Sequence, residues 1–278
     1  MKKLHIGNSS IFEKFTYKSL SVRFGKRYHH MCNNVMFKDF QEYVKKNIIS
    51  FLSEEMAKRF EIYFNELIEW NKKFNLISYK EEKDILYRHF CDCLYSAKIV
   101  SELEYLKDVK VADLGTGSGM PGIPVKIALA DAQITLVESI SKKCKFLENV
   151  NNKLKSNIEI LNARAEEIGQ NSKYRSKYDF VLSRAVSKFS PNLEIAIPLL
   201  KVGGYFLVHK TKDSVLNPEE GLASIENAIK HLGAKLEKTI SYNLPNQELD
   251  YCVLVFKKYK DTPLQFPRKI GIPEKKPL

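Results

Sequence analysis

Val111-Ala112-Asp113-Leu114-Gly115-Thr116-Gly117-Ser118-Gly119 is an apolar run, interrupted by one acid, that breaks into three alternating glycines. Val111 to Leu114 reads as the end of a buried strand. The glycines at 115, 117 and 119 let the backbone turn sharply and approach a ligand with no Cβ in the way, before a helix begins near Pro121. Such a turn suits a nucleotide-like ligand. The overlapping run Gly117-Ser118-Gly119-Met120-Pro121-Gly122 also fits GxGxxG, so a dinucleotide-binding loop is one reading of it.

Downstream of residue 108, short β-rich runs alternate with amphipathic stretches, the pattern of βαβ units and a largely parallel sheet. The predicted strands lie near 109–114, 133–138, 157–161, 178–183, 203–210, 235–241 and 250–257. The last two are separated only by the polar, Pro-containing segment around Leu244 and Pro245, too short for a helix, so they are expected to pair antiparallel. The fold class that follows is α/β: a Rossmann-like, seven-stranded, mostly parallel sheet with an antiparallel C-terminal hairpin, a layout that resembles the class I methyltransferase fold. An N-terminal helical cap precedes it.

Three features favour a sulfonium methyl donor, S-adenosylmethionine, over a dinucleotide. Asp113 stands just before the first glycine, where a carboxylate attracts an ammonium but would repel a pyrophosphate. Ile134-Thr135-Leu136-Val137 ends in Glu138, placed to accept ribose hydroxyls, a role shared by both cofactor classes. The terminal hairpin is common among methyltransferases and foreign to the simplest dinucleotide domain. Beyond the third strand, Asn162-Ala163-Arg164-Ala165-Glu166 reads equally well as an adenine-side loop or as a helix start with Glu166 and Glu167 at its positive end. After the fourth strand, Arg184 falls at the carboxyl end of the sheet, where open α/β folds bind ligands.

The cap is expected over residues 37–107. Ser53 is a plausible N-cap, with Met56, Phe60, Phe64, Leu67 and Ile68 recurring at helical spacing behind it. A second helix, roughly Glu82 to Val100, carries His89, Asp92, Cys93 and Leu94. His89 and Asp92 are read as a hydrogen-bonded structural pair holding the cap against the loop. Trp70, among Ile62, Leu67 and Phe74, is read as cap packing ahead of stacking on an RNA base. The remaining boundaries are a basic N-terminal extension over 1–36, the cofactor-binding domain over 108–260, and a basic, Pro-rich tail over 261–278, expected to be extended or loosely packed.

The chain has 278 residues and a net charge of +12, a balance that favours a polyanionic partner. Residues 1–35 hold seven Lys or Arg and a single acid, Glu13, so half the excess sits in this stretch. It fits an RNA-contacting arm or a start assigned upstream of the native one, and less well a transit peptide. His29 and His30 within it are read as solvated. No run of apolar residues is long enough to span a membrane, and five cysteines without paired spacing suit free thiols in a reducing compartment. The expectation is a cytoplasmic protein with no membrane association. Cys91, Cys93 and His89 share one helix without a second ligand pair, so no metal is expected.

Taken in order, these segments resemble the RsmG (GidB) family of bacterial small-subunit ribosomal RNA guanine-N7 methyltransferases, from about residue 37 onward. The resemblance rests on Trp70-Asn71-Lys72-Lys73-Phe74-Asn75-Leu76-Ile77, on His89-Phe90-Cys91-Asp92-Cys93-Leu94 and on Asp113 through Pro124. It extends to Arg184-Ala185 and Pro267-Arg268-Lys269-Ile270-Gly271-Ile272-Pro273. It implies cofactor contacts at Gly115, Met120, Glu138, Ser139, Ile140, Ala165, Glu166 and Arg184, which join Asp113, Gly117 and Gly119 from the residue reading. It further implies RNA contacts at Arg164 and Lys210, and 16S ribosomal RNA or the small ribosomal subunit as partner. No obligate protein partner is implied. Some relatives carry an arginine just before the last strand, where this chain has Leu249-Asp250-Tyr251, so that contact is not assigned.

Guanine N7 has a lone pair and no proton to lose, so its methylation needs no general base. Positioning and electrostatics, worth roughly 7 to 11 kcal/mol, are expected to carry the acceleration, with Arg184 and Lys210 holding the guanine carbonyl oxygen or a phosphate. Gly117→Val is expected to abolish cofactor binding by steric intrusion. Competing readings are a same-fold methyltransferase for another RNA, a protein or a small molecule, an NAD-dependent oxidoreductase, and an RNA-binding module with a dead cofactor site. The intact Asp113, glycine and Glu138 set argues against the last. The lack of a well-placed Tyr-x-x-x-Lys pair argues against one common dehydrogenase chemistry.

Overall fold

A computed structural model of the chain describes residues 35–103, 108–184, 188–217, 221–245 and 247–278. The basic extension up to residue 34, with His29, His30 and Cys32, lies outside the described residues, as does Ala185.

Helix α1 covers residues 35–47 and α2 covers Glu54–Asn71. The Ser53 hydroxyl accepts the Met56 N–H at 3.1 Å, satisfying one of the donors a helix start leaves open. The helical spacing of Phe60, Tyr63, Phe64 and Leu67 turns one face inward, and all four are buried. The expected second helix begins differently: Ile85–Phe90 is a π-helical turn, and α3 runs on over Cys91–Leu103. Wide turns of this type are frequent at functional sites.

The sheet follows as β1 (Lys110–Leu114), β2 (Gln133–Glu138), β3 (Glu159–Asn162), β4 (Tyr178–Arg184), β5 (Leu200–Thr211), β6 (Ala234–Asn243) and β7 (Asp250–Lys258). Among the described residues it is seven-stranded, in the order β3-β2-β1-β4-β5-β7-β6. The pairs from β3 through β5 are parallel, and β7 inserts antiparallel between β5 and β6. The chain reverses direction across the sheet between β1 and β4, so loops diverge there and leave a crevice beyond the strand ends.

Helices α4 (Gly122–Ala128), α5 (Ser141–Leu154), α6 (Ala165–Gln170), α7 (Phe189–Ala196), α8 (Lys212–Leu216) and α9 (Glu226–Leu232) fill the connections, and α10 (Ile272–Lys275) lies near the C-terminus. Strand alternation divides the core in two. Val111, Leu136, Phe180, Leu182, Leu207 and Val253 pack with the cap helices and α4 and α5. Ala112, Leu114, Val137, Val181, Val208 and Leu254 pack with α7 and α9.

The tail after Lys260, expected to be extended or loosely packed, carries the short helix α10 and is closely packed. Arg175 on the α6–β4 connection donates to the carbonyl oxygens of Thr262, Pro263 and Phe266. Arg268 forms a salt bridge with Glu194 of α7. Composition alone does not reveal such anchors, because their partners lie about 70 to 90 residues upstream in the chain.

Candidate functional site

Gly115, Gly117 and Gly119 have φ of 62°, 61° and 95°, the left-handed region that side-chain-bearing residues rarely enter. The turn they make is braced from three directions. Asp113, fully buried, accepts the Thr116 hydroxyl at 2.6 Å and the Gly122 N–H at 2.8 Å through Oδ2. Glu138 accepts the Gly117 N–H at 3.0 Å and the Ile140 N–H at 2.8 Å. The buried Tyr63 hydroxyl of α2 donates to the Ser118 carbonyl at 2.6 Å.

Glu138, read as placed to accept ribose hydroxyls, gives a lone pair of each oxygen to backbone N–H groups and braces the loop. Asp113 likewise organises the turn through one oxygen, while its buried Oδ1 has no partner in the protein. Burial, opposed by the Thr116 and Gly122 hydrogen bonds, pushes its carboxyl up to about 7. The steric argument for Gly117 concerns the ligand and not the protein. A Cβ there would meet nothing nearer than 3.9 Å, so the cost of a side chain is the strained φ.

Beside this loop a cavity of about 190 Å³ opens on the α7 face of the sheet, lined by Leu114, Gly115, Val137, Ser139, Ala163 through Glu166, Pro191, Asn192, Ile195, Pro273 and Glu274. Apolar walls with a few polar groups at the rim suit a flat nucleoside. The open space beside Gly115, where a Cβ would touch nothing within 4 Å, fits a ligand at this strand end. Of the expected residues, Gly115, Ser139, Arg164, Ala165 and Glu166 line the cavity. Glu166 is also held elsewhere, accepting the Gly271 N–H at 3.1 Å. Both earlier readings of residues 162–166 survive: α6 begins there with Glu166 and Glu167 in its first turn, and its start forms part of the wall.

Arg184 lies on the other face. Its Nε donates to Asp92 Oδ2 at 2.5 Å, Nη2 meets His89 Nδ1 at 2.9 Å, and Nη1 approaches Met120 Sδ at 3.9 Å. His89 Nε2 sits 3.0 Å from the Ser78 carbonyl, which can only accept, so Nε2 carries the proton and Nδ1 accepts from the guanidinium. Burial, then the Arg184 charge, lowers the His89 pKa to about 4, in keeping with a neutral ring. His89 and Asp92 therefore do not pair with each other as expected; both bind Arg184.

Asp92 is drawn in further. Its Oδ1 accepts a short hydrogen bond from the Tyr242 hydroxyl and one from His209 Nδ1 at 3.2 Å. The Ser96 hydroxyl and His209 Nε2 are hydrogen-bonded at 2.5 Å. Burial opposes ionisation of Asp92, yet Arg184 and these bonds hold its carboxyl well below the usual range.

Arg184 stands opposite His209 in the β4–β5 register, so both side chains reach the cap face. Lys210, the next residue, points to the opposite face, where its ammonium sits 4.6 Å from the Phe189 ring centre. The two expected basic residues thus approach the strand ends from opposite sides. Trp70 packs edge-on against Phe74 and Phe146, consistent with cap packing. Cys91 and Cys93 are buried, and burial pushes both thiols up. Among the described residues no three His, Cys, Asp or Glu side chains gather as a metal site, and no helix is long and apolar enough to cross a membrane.

Sequence reasoning missed Tyr63, Ser96, His209, Tyr242 and the docking of the tail. A histidine amid the apolar run Phe206-Leu207-Val208 was a usable signal for His209. Tyr242, at the end of an alternating strand, carried none.

Comparison with known proteins agrees with this architecture. The profile of the GidB family, described as rRNA small subunit methyltransferase G, matches residues 56–242, more than half of the chain. A ribosomal RNA small subunit methyltransferase G from Alkaliphilus oremlandii is 42% identical over 218 residues, covering 78% of this chain and 88% of its own. Its counterpart from Listeria monocytogenes is 38% identical over 228 residues, with 82% and 93% covered. Among solved structures, one provisionally assigned as a sarcosine dimethylglycine methyltransferase from Galdieria sulphuraria superposes with a TM-score of 0.51 at 15% identity, covering 71% of this chain and 98% of that one. That likeness concerns the fold alone.

Proposed function

Because the chain belongs to the rRNA small subunit methyltransferase G family, we propose that it transfers a methyl group from S-adenosylmethionine to N7 of a guanine in 16S ribosomal RNA. The observation that carries this reading is the cavity walled by the glycine turn and the start of α6 at the carboxyl edge of the sheet. When bound, the cofactor supplies an electrophilic methyl on a positively charged sulfur, which the guanine N7 lone pair can take in line without losing a proton.

The residues of the chain would then hold and orient. Gly115 and Gly117 admit the cofactor backbone, and Ser139, Ala165 and Glu166 face its nucleoside. The free oxygen of Asp113 is the acceptor available for the ammonium. Met120 and Ile140 flank the braced loop. On the substrate side, Lys210 and Arg164 supply positive charge for RNA phosphate or the guanine carbonyl oxygen. Arg184 contributes through Nη1, its Nε and Nη2 being engaged by Asp92 and His89. Such electrostatic contacts are worth most where water is excluded. Action on ribosomal RNA supports a cytoplasmic location for the protein.

The test is incubation with labelled S-adenosylmethionine and undermethylated small subunits, followed by mapping of the modified nucleotide. Label on one guanine at N7 supports the proposal. Label confined to protein, or no transfer despite cofactor binding, overturns it.

A further inference from the structure

The tail Pro267-Arg268-Lys269-Ile270-Gly271-Ile272-Pro273 plays no part in the activity described so far, yet its far end reaches the cavity. Pro273 is buried, and with Glu274 it lines the same space as Gly115, Ser139, Ala165 and Ile195.

Its position is held on both sides. Toward α6, the Gly271 N–H donates to Glu166 Oε1 at 3.1 Å and Gln170 donates a short bond to the Pro267 carbonyl. A Cβ on Gly169 would fall 2.7 Å from Pro267 Cγ, so the tail lies against α6 at a distance only glycine permits. Toward α7, Arg268 binds Glu194 through its backbone N–H at 2.8 Å, Nε at 2.8 Å and Nη2 at 2.6 Å. The Glu194 side chain is fully buried, so withdrawal of the tail would strand a carboxylate out of water. The Leu278 N–H donates to Ser190 at 2.9 Å and closes the run on α7.

We infer that residues 267–278 are a constituent of the S-adenosylmethionine site, with Pro273 forming an apolar wall against the adenine and the Glu166 to Gly271 bond setting that wall's distance from α6. The inference rests on the methyl-donor reading of the cavity. Ligand and tail then stabilise each other, since whatever binds only the docked form favours docking by the same free energy.

Calorimetry with S-adenosylhomocysteine on the full chain and on Pro273→Gly tests it, together with amide exchange at Gly271 and Leu278 with and without that ligand. The expected result is a Kd raised about tenfold in the variant, with an unchanged circular dichroism spectrum, and slower exchange at both amides when the unaltered chain is loaded. Equal affinities and unchanged exchange would overturn the inference while leaving the methyl-donor reading intact. An unaltered chain that does not bind S-adenosylhomocysteine overturns that reading itself. If Pro273→Gly does not fold, exchange in the unaltered chain decides alone.

Discussion

At the carboxyl edge of the sheet the two faces are built on opposite terms. On the α7 face, backbone turns and small side chains leave a cavity, and Lys210 rests on the Phe189 ring. On the cap face the equivalent space is filled: Arg184, Asp92, His89, His209, Tyr242 and Ser96 satisfy one another in a buried network. Open space beside a braced backbone suits a ligand that comes and goes. A filled polar network suits the opposite task, holding one cation in a fixed place, because low local dielectric strengthens each bond and penalises each missing partner. The comparison makes the cap face the seat of stability and pH dependence, while the α7 face keeps the open space.

The largest expected effect is on the cap face. Asp92→Asn leaves the Arg184 charge buried without its counterion and should cost about 3 to 5 kcal/mol, read from the denaturant midpoint. A loss under 1 kcal/mol would mean that water reaches this network and that the contrast is wrong.

Next are two pH slopes of opposite sign, both from the cap side of β1. The Asp113 carboxyl is pushed up to about 7 by burial, against an ordinary value near 4. Its protonation therefore favours folding: this contribution is whole below about pH 4 and lost as pH rises to 7, up to about 4 kcal/mol. His89 is lowered to about 4 by burial and Arg184, so its contribution is present above about pH 6.5 and lost as pH falls through 4, about 3 kcal/mol. Stability measured from pH 4 to 7 should lose its downward slope in Asp113→Asn and its upward slope in His89→Gln. Matching profiles for both variants and the unaltered chain would remove this face as the titrating one.

On the α7 face the expected effects concern turnover and affinity. Lys210→Ala should lower methylation about a hundredfold at saturating cofactor with cofactor affinity nearly intact. A large affinity loss with normal saturated turnover would move Lys210 to the cofactor side. The smallest effect belongs to Gly117→Val. With no neighbour closer than 3.9 Å to the new Cβ, the penalty is the backbone strain of φ 61°, about 1 to 2 kcal/mol. Calorimetry should show weakened cofactor binding, and unchanged affinity would rule out this loop geometry.

Much of this was legible beforehand where the cause is local. Strand β2 coincides with its predicted span, the Ser53 cap forms as its chemistry requires, and the short Pro-containing connection yields the antiparallel β6–β7 pair. Each depends on alternation or turn chemistry within a few residues. Glu138 shows the limit: a carboxylate at a strand end was recognised as important, but its nearest donors are the N–H groups of Gly117 and Ile140, which a sequence pattern does not count. The π-helical turn before α3 and the docked tail were unreadable for a related reason, since neither leaves a periodic trace.

By itself the sequence determined the order of strands and helices, the place of the glycine turn and the family to which both belong, because these follow from interactions among near neighbours in the chain. Only the tertiary structure decided that Arg184 and Lys210 face opposite sides, what neutralises Arg184, and that the tail walls the cavity. The bonds from Asp92 span 92, 117 and 150 residues. Their partners are chosen by which strands lie side by side, and that choice is made by burying the whole apolar core at once.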